Sequence, residues 1–78
     1  MIKIYSTPTC PWCKKAKAYL ESKNIPFEDI NVAEDLEKRE EMFRISGQSG
    51  VPVIEICGNI ILGFDKNAID EALAICKQ

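Results

Sequence analysis

The sequence predicts one α/β domain with the element order β-α-β-α-β-β-α, and three observations carry that prediction. Short apolar runs alternate with amphipathic stretches of helical period, and no linker, repeat or low-complexity tract interrupts them. The first two apolar runs are joined by one such helical stretch, which predicts a right-handed parallel β-α-β unit. The last two flank Gly58-Asn59, a two-residue turn suited to an antiparallel hairpin. At 78 residues the chain can close only a single small core.

The elements follow in order. "IKIY", Ile2 to Tyr5, is a β-branched and aromatic run stopped by Ser6, Thr7 and Pro8, and reads as a strand. A helix is expected from Pro11 to about Lys23, because proline suits the first helical position and Ala16, Tyr19 and Leu20 recur at helical spacing. "PFEDINV", Pro26 to Val32, reads as the second strand. Asn31 followed by Glu34 has capping-box spacing for a helix running to about Ile45, with Gly47 as its stop. In that helix Glu34/Lys38, Asp35/Arg39 and Glu40/Arg44 stand four apart and read as ion pairs on a solvated face. "VPVIEIC" and "IIL" form the hairpin, and Asp65 caps a last helix in which Ile69, Ala72, Leu73 and Cys76 share one face.

Composition narrows the function classes. With 46% hydrophobic and 28% charged residues the chain reads as an ordinary soluble globule. A net charge of −2 offers no basic face to displace counterions from phosphates, so no nucleic-acid partner is expected. The opening "MIKIYS" is too short an apolar run for a secretory signal, and nothing approaches a membrane span. The expectation is therefore a cytoplasmic protein without a membrane partner, acting as a monomer. In that compartment thiols stay reduced, so the four cysteines do not suggest a disulfide framework.

Chemistry concentrates in "TPTCPWCKKAK", Thr7 to Lys17. If Pro11 opens the helix, Cys10 is its N-cap, where the unpaired N–H groups of Trp12 and Cys13 point outward. Those donors, the helix dipole and the lysines at 14, 15 and 17 favour a thiolate at Cys10. Cys13 is one turn on, on the same face and within disulfide reach, but less exposed. Cys10 is thus the expected nucleophile and Cys13 the resolving thiol, since a mixed disulfide on Cys10 is released only by a second thiol that can reach it. A structural zinc site is not expected, because one C-x-x-C supplies two ligands, the chain has no histidine, and Cys57 and Cys76 lack zinc-ribbon spacing. A staple across one helical turn would constrain little of the unfolded chain. Cys76, on the apolar helix face, reads as a buried core thiol, while Cys57 beside the turn is left open. In "SGVPVI", Ser49 to Ile54, Pro52 cannot donate to a ladder and belongs at a bend or edge. Were Val51-Pro52 cis, the Val51 backbone would be free to pair with an extended ligand beside Cys10.

"CPWC" after a first strand, "VP" at Val51-Pro52 and "GFD" at Gly63 to Asp65, in that order over essentially the whole chain, resemble a small bacterial dithiol glutaredoxin of the thioredoxin superfamily. The resemblance implies a thioredoxin-like fold, a four-stranded mixed sheet flanked by three helices, with Pro52 cis and facing the dithiol. It implies a thiol-disulfide oxidoreductase that reduces protein disulfides and glutathione mixed disulfides, with glutathione as cosubstrate and no metal. Trp12, Gln48, Val51, Pro52, Gly63, Phe64 and Asp65 are the glutathione contacts it implies, the Val51 backbone pairing with the tripeptide's cysteine while Phe64 and Asp65 hold its γ-glutamyl end. Two positions depart from the pattern. Thr7 stands where such proteins commonly carry a lysine or arginine for the glycine carboxylate, leaving Gln48 as the polar candidate. Leu62-Gly63 replaces a double glycine, as in redoxins that take electrons from thioredoxin reductase and feed ribonucleotide reductase. That redoxin role is the alternative. A glutathione-dependent iron–sulfur carrier, with Cys10 of two subunits holding a cluster, is a further one against which Pro11 counts.

Overall fold

The computed structural model describes residues 2–76. Its elements are β1 (Ile2–Ser6), α1 (Pro11–Ser22), β2 (Glu28–Asn31), α2 (Leu36–Ser46), β3 (Val53–Ile56), β4 (Asn59–Leu62) and α3 (Lys66–Cys76). The strands form one mixed sheet in the order β2-β1-β3-β4. β1 pairs parallel with β2 through the α1 crossover, and β3 runs antiparallel to both β1 and β4. This is the thioredoxin-like arrangement of three helices and a four-stranded sheet that the sequence predicts.

Alternation along the two central strands divides the core between the faces of the sheet. Ile2 and Ile4 of β1 and Ile54 and Ile56 of β3 pack with Ala16 and Leu20 of α1 and Ile69, Ala72 and Leu73 of α3. Tyr5 and Val53 point the other way, onto Met42 of α2 with Ile30 and Val32. Both β1 and β3 are therefore buried on two faces. Fully burying an aliphatic chain of this size is worth about 1.5–3 kcal/mol, so the β1–β3 pair anchors the fold and fixes where the turn after β1 begins.

Five local expectations are corrected. β2 begins at Glu28, which pairs with Lys3, because Pro26 has no N–H for the ladder. Helix α2 starts later than the Asn31/Glu34 spacing suggests: its N-cap is Asp35, whose Oδ1 accepts the Lys38 N–H at 3.2 Å. Asn31 instead closes an Asx turn, its Oδ1 accepting the Ala33 N–H at 2.9 Å, so the chain bends before the helix begins. The ion pair within α2 is Lys38–Glu41, three apart at 3.5 Å, in place of the three expected pairs. Gly47 ends the helix with φ +74, as expected.

The hairpin turn is Cys57-Gly58, one residue earlier than Gly58-Asn59. Both turn residues have positive φ, 49° and 88°, the left-handed conformation that a two-residue type I′ turn requires. Asn59 opens β4 opposite Ile56, so that all of Val53–Ile56 pairs with Asn59–Leu62. The fifth correction is Cys76. It is exposed, not a core thiol, because the apolar face of α3 meets the core only as far as Leu73 and the last turn runs on to the hairpin. There Cys76 forms a disulfide with Cys57, the Cα atoms 5.7 Å apart.

Candidate active site

β1 ends at Ser6 and α1 begins at Pro11, so residues 7–10 form a short turn between two fixed elements. Cys10 is the N-cap of α1 with extended backbone (φ −91, ψ 112), Pro11 takes the first helical position, and the Cys13 N–H donates to Cys10 Sγ at 3.2 Å. A backbone donor aimed at sulfur from a helix N-terminus is the contact that suits a thiolate. The backbone also ties the turn to itself, Cys10 N–H reaching the Thr7 carbonyl at 3.4 Å.

The two sulfurs differ in surroundings. Cys10 is half-buried, whereas Cys13 is wholly buried on the inner face of α1. Burial, and then the hydrogen bond to Cys10, push the Cys13 thiol up to about 11, while a backbone hydrogen bond with Thr7 and, less, the charge of Lys17 pull it down. Lys17 is held in place from the sheet. Its Nζ lies 2.8 Å from Asp29 Oδ2 on β2, and the other oxygen of that carboxylate accepts the hydroxyl of buried Ser6 at 2.8 Å.

On the outer side of Cys10 the Val51-Pro52 peptide is cis, and the Cys10 thiol approaches the Val51 carbonyl at 3.8 Å. The Val51 N–H makes no hydrogen bond among the described residues. Pro52 is fixed from the opposite side by Gly63, whose φ of +76 turns its N–H onto the Pro52 carbonyl at 2.9 Å. Trp12, Val51, Pro52, Gly63 and Phe64 thereby line a cleft of about 260 Å³ beside the dithiol. Asp65 stands exposed at its rim as the N-cap of α3, Oδ1 accepting the Ala68 N–H at 3.1 Å.

Of the residues predicted for the site, the structure brings together Cys10, Cys13, Trp12, Val51, Pro52, Gly63 and Phe64, with Asp65 next to them. Gln48 does not line the cleft; it follows the Gly47 cap, its N–H bound to Ser46 Oγ at 3.3 Å. Thr7 does not line it either. A hollow of about 620 Å³ lies elsewhere, among Glu28, Asp29, Glu34 and Asp35, where the acidic lining opposes an anionic ligand. Among the described residues no group of three or more His, Cys, Asp or Glu could hold a metal, and no helix is long and apolar enough to cross a membrane.

Six contacts were not foreseen from the sequence. Lys15 Nζ sits 4.5 Å from the centre of the Trp12 ring, a cation–π contact foreshadowed only by the three-residue spacing. Tyr19, packed against the core cluster as its helical spacing predicts, also meets Phe64 edge-on at 5.9 Å, and Phe64 in turn lies 6.5 Å from Trp12. Tyr19 also donates to Asp70, which pairs with Lys23 at 3.5 Å, so α1 and α3 are clamped behind the cleft. The Lys17–Asp29 pair had no signal in local spacing.

Comparison with known proteins bears on this geometry. A glutaredoxin family model matches residues 2–61. A glutaredoxin-like 8.6 kDa protein of the rubredoxin operon of Clostridium pasteurianum is 68% identical over 73 residues, covering 94% of this chain and 97% of that one. Glutaredoxin 3 of Escherichia coli K12 is 42% identical over 64 residues, 82% of this chain and 77% of its own. Among solved structures, the glutaredoxin-like NrdH-redoxin from Escherichia coli, described as having a thioredoxin-like activity profile, superposes with a TM-score of 0.79 at 30% identity, over 90% of this chain and 91% of that one.

Proposed function

Because the chain belongs to the glutaredoxin family, we propose that this thiol redox protein reduces protein disulfides and glutathione mixed disulfides through Cys10 and Cys13, with glutathione as its reductant. The observation that carries the reading is the setting of Cys10 Sγ, which accepts the Cys13 N–H and faces the Val51 carbonyl at the mouth of the cleft. The Cys10 thiolate attacks one sulfur of a substrate disulfide, the new S–S bond forms at Cys10, and the other substrate sulfur leaves as a thiolate that takes a proton. Cys13 then loses its proton and attacks Cys10 Sγ, releasing the second substrate thiol and leaving a Cys10–Cys13 disulfide. Two glutathione molecules return the electron pair in two exchanges and depart as glutathione disulfide.

In this reading the cleft binds glutathione as an extended strand. The free N–H and the carbonyl of Val51 pair with its cysteine residue, Trp12, Pro52 and Phe64 cover its apolar flank, and Asp65 meets its ammonium group while Gly63 leaves room for the backbone. Gln48, which lies outside the lining of the cleft, would serve the glycine carboxylate only by turning toward it. The protein acts as a monomer in the cytoplasm, where a dithiol of this kind is kept reduced. A second reading rests on the likeness to NrdH-redoxin and on Thr7, which provides no cation for glutathione: the same dithiol, reduced by thioredoxin reductase, would donate electrons to ribonucleotide reductase. Steady-state turnover with glutathione plus glutathione reductase, set beside turnover with thioredoxin reductase, tests the choice. Turnover with glutathione alone supports the first reading, and turnover with thioredoxin reductase alone replaces it with the second.

A further inference from the structure

The two cysteines that the dithiol chemistry leaves unused meet at the opposite end of the molecule. Ile56 pairs with Ile2, so the Cys57-Gly58 turn lies at the start of β1, whereas Cys10 follows the end of that strand, about 13 Å of extended chain away. Cys57 occupies a left-handed turn position and Cys76 the last position of α3; both are exposed, and they are bonded across a sequence separation of 19. The segment so closed contains β4, Gly63, Phe64, Asp65 and all of α3.

From this juxtaposition we infer that Cys57 and Cys76 form a second redox site, oxidised by low-molecular-weight disulfides, whose state sets how tightly α3 is pinned to the β3–β4 turn. The pair is placed for it. Exposed disulfides are open to attack by external thiols and are the labile ones, unlike bridges buried in a core. The Cα separation of 5.7 Å lies in the range that a disulfide spans without backbone movement, so the site can close and reopen within one fold. Direct exchange with Cys10 inside one molecule is excluded by distance, because sulfur must touch sulfur.

The step balances with a named oxidant. A thiolate of one cysteine attacks a sulfur of the small disulfide, forms a mixed disulfide and expels one thiolate. The thiolate of the second cysteine then attacks the protein sulfur, forms the Cys57–Cys76 bond and expels the other. Two protein thiols are oxidised, one disulfide is reduced to two thiols, and the two protons end on those products. Closing the segment removes freedom chiefly from the unfolded chain. It also fixes the far end of the helix whose near end carries Asp65, beside the cleft.

Wild-type protein equilibrated in buffers of graded glutathione to glutathione disulfide ratio, alkylated and mapped by mass spectrometry, reads the site directly. Cys57 and Cys76 are expected to become protected together, as one two-electron couple distinct from Cys10 and Cys13. The Cys10→Ser/Cys13→Ser double variant, which keeps only the second pair, should melt on the order of 10 °C higher oxidised than reduced. Cysteines 57 and 76 that stay alkylatable in the most oxidising buffer, that each take up a separate glutathione, or that leave melting unchanged on oxidation would overturn the inference. If the double variant does not fold, the alkylation map of the wild type decides alone.

Discussion

Lys17 Nζ lies 2.8 Å from Asp29 Oδ2, which joins the second turn of α1 to the sheet beneath the dithiol. The pair holds a cation close to the buried Cys13 thiol, which the proposed mechanism requires to become a thiolate when it resolves a mixed disulfide. Ser6, at the end of β1, fixes the far oxygen of the carboxylate at 2.8 Å, so Lys17 is aimed by two strands at once.

Replacing that cation is the first prediction. Lys17→Gln should slow resolution of a mixed disulfide on Cys10 a few-fold, the effect of losing one partly screened charge worth up to about 1 kcal/mol. Asp29→Asn, which keeps the lysine but frees it, should slow it less. Single-turnover release of a labelled thiol from Cys10 measures both, and equal rates in all three proteins would mean that Lys17 does not act on Cys13.

The Cys13 thiol sets a pH dependence. Burial raises it from 9.0 to about 11, so the fold favours the protonated form. Stability from this group is complete below the ordinary thiol range near 9.0 and is lost as pH climbs through about 11. The resolving rate runs the opposite way, rising with pH as the thiolate fraction of Cys13 does. Denaturant unfolding and single-turnover kinetics in reducing buffer from pH 7 to 11 follow the two trends.

The proposed roles of the two cysteines should separate by substrate. Cys10→Ser should lose all activity. Cys13→Ser should lose reduction of protein disulfides yet retain turnover of glutathione mixed disulfides, because free glutathione can replace the resolving thiol. Steady-state assays on both substrate classes check it, and identical total loss in both variants would give Cys13 a larger part than resolution.

Thr7→Lys places a cation three residues before the nucleophile. If glutathione is the reductant, a charge-assisted hydrogen bond to its glycine carboxylate should lower KM several-fold, on the order of 1 kcal/mol after solvent screening, with kcat nearly unchanged. Weaker binding would place residue 7 away from that carboxylate.

On the far face, the Tyr5 hydroxyl donates to Glu41 Oε2 at 3.0 Å, which holds the Glu41 carboxyl below its usual range. A lowered carboxyl contributes stability above its unfolded value and loses it as pH falls through the folded one. Tyr5→Phe should therefore cost about 1 kcal/mol at neutral pH and flatten the acid side of the stability profile. Chemical denaturation between pH 3 and 7 reads both effects.

Features set by neighbours in sequence were legible before the structure. Pro11 at the first helical position makes Cys10 a cap, and Gly47 and Asp65 mark helix ends by their own side-chain or backbone preferences. One crossover and one hairpin announced the β1–β2 and β3–β4 pairings, while the β1–β3 pairing that joins them had no local signal. What escaped were relations between distant residues. Nothing near Asp29 announces Lys17, and helical periodicity told which face Cys76 occupies without telling where the core stops. The turn was misplaced by one residue because Cys57 adopts a left-handed conformation usually left to glycine or asparagine.

Trp12 is the only tryptophan in the chain, it stands between the two reactive sulfurs, and it is 55% exposed at the edge of the cleft. Its fluorescence therefore arises from one indole in one place. A ligand that covers the ring should shift its emission to shorter wavelength by removing water, and a bond closing between Cys10 and Cys13 should alter quenching by sulfur. The molecule carries a built-in optical readout of occupancy and oxidation state, and each exchange step can be followed by stopped flow without a label.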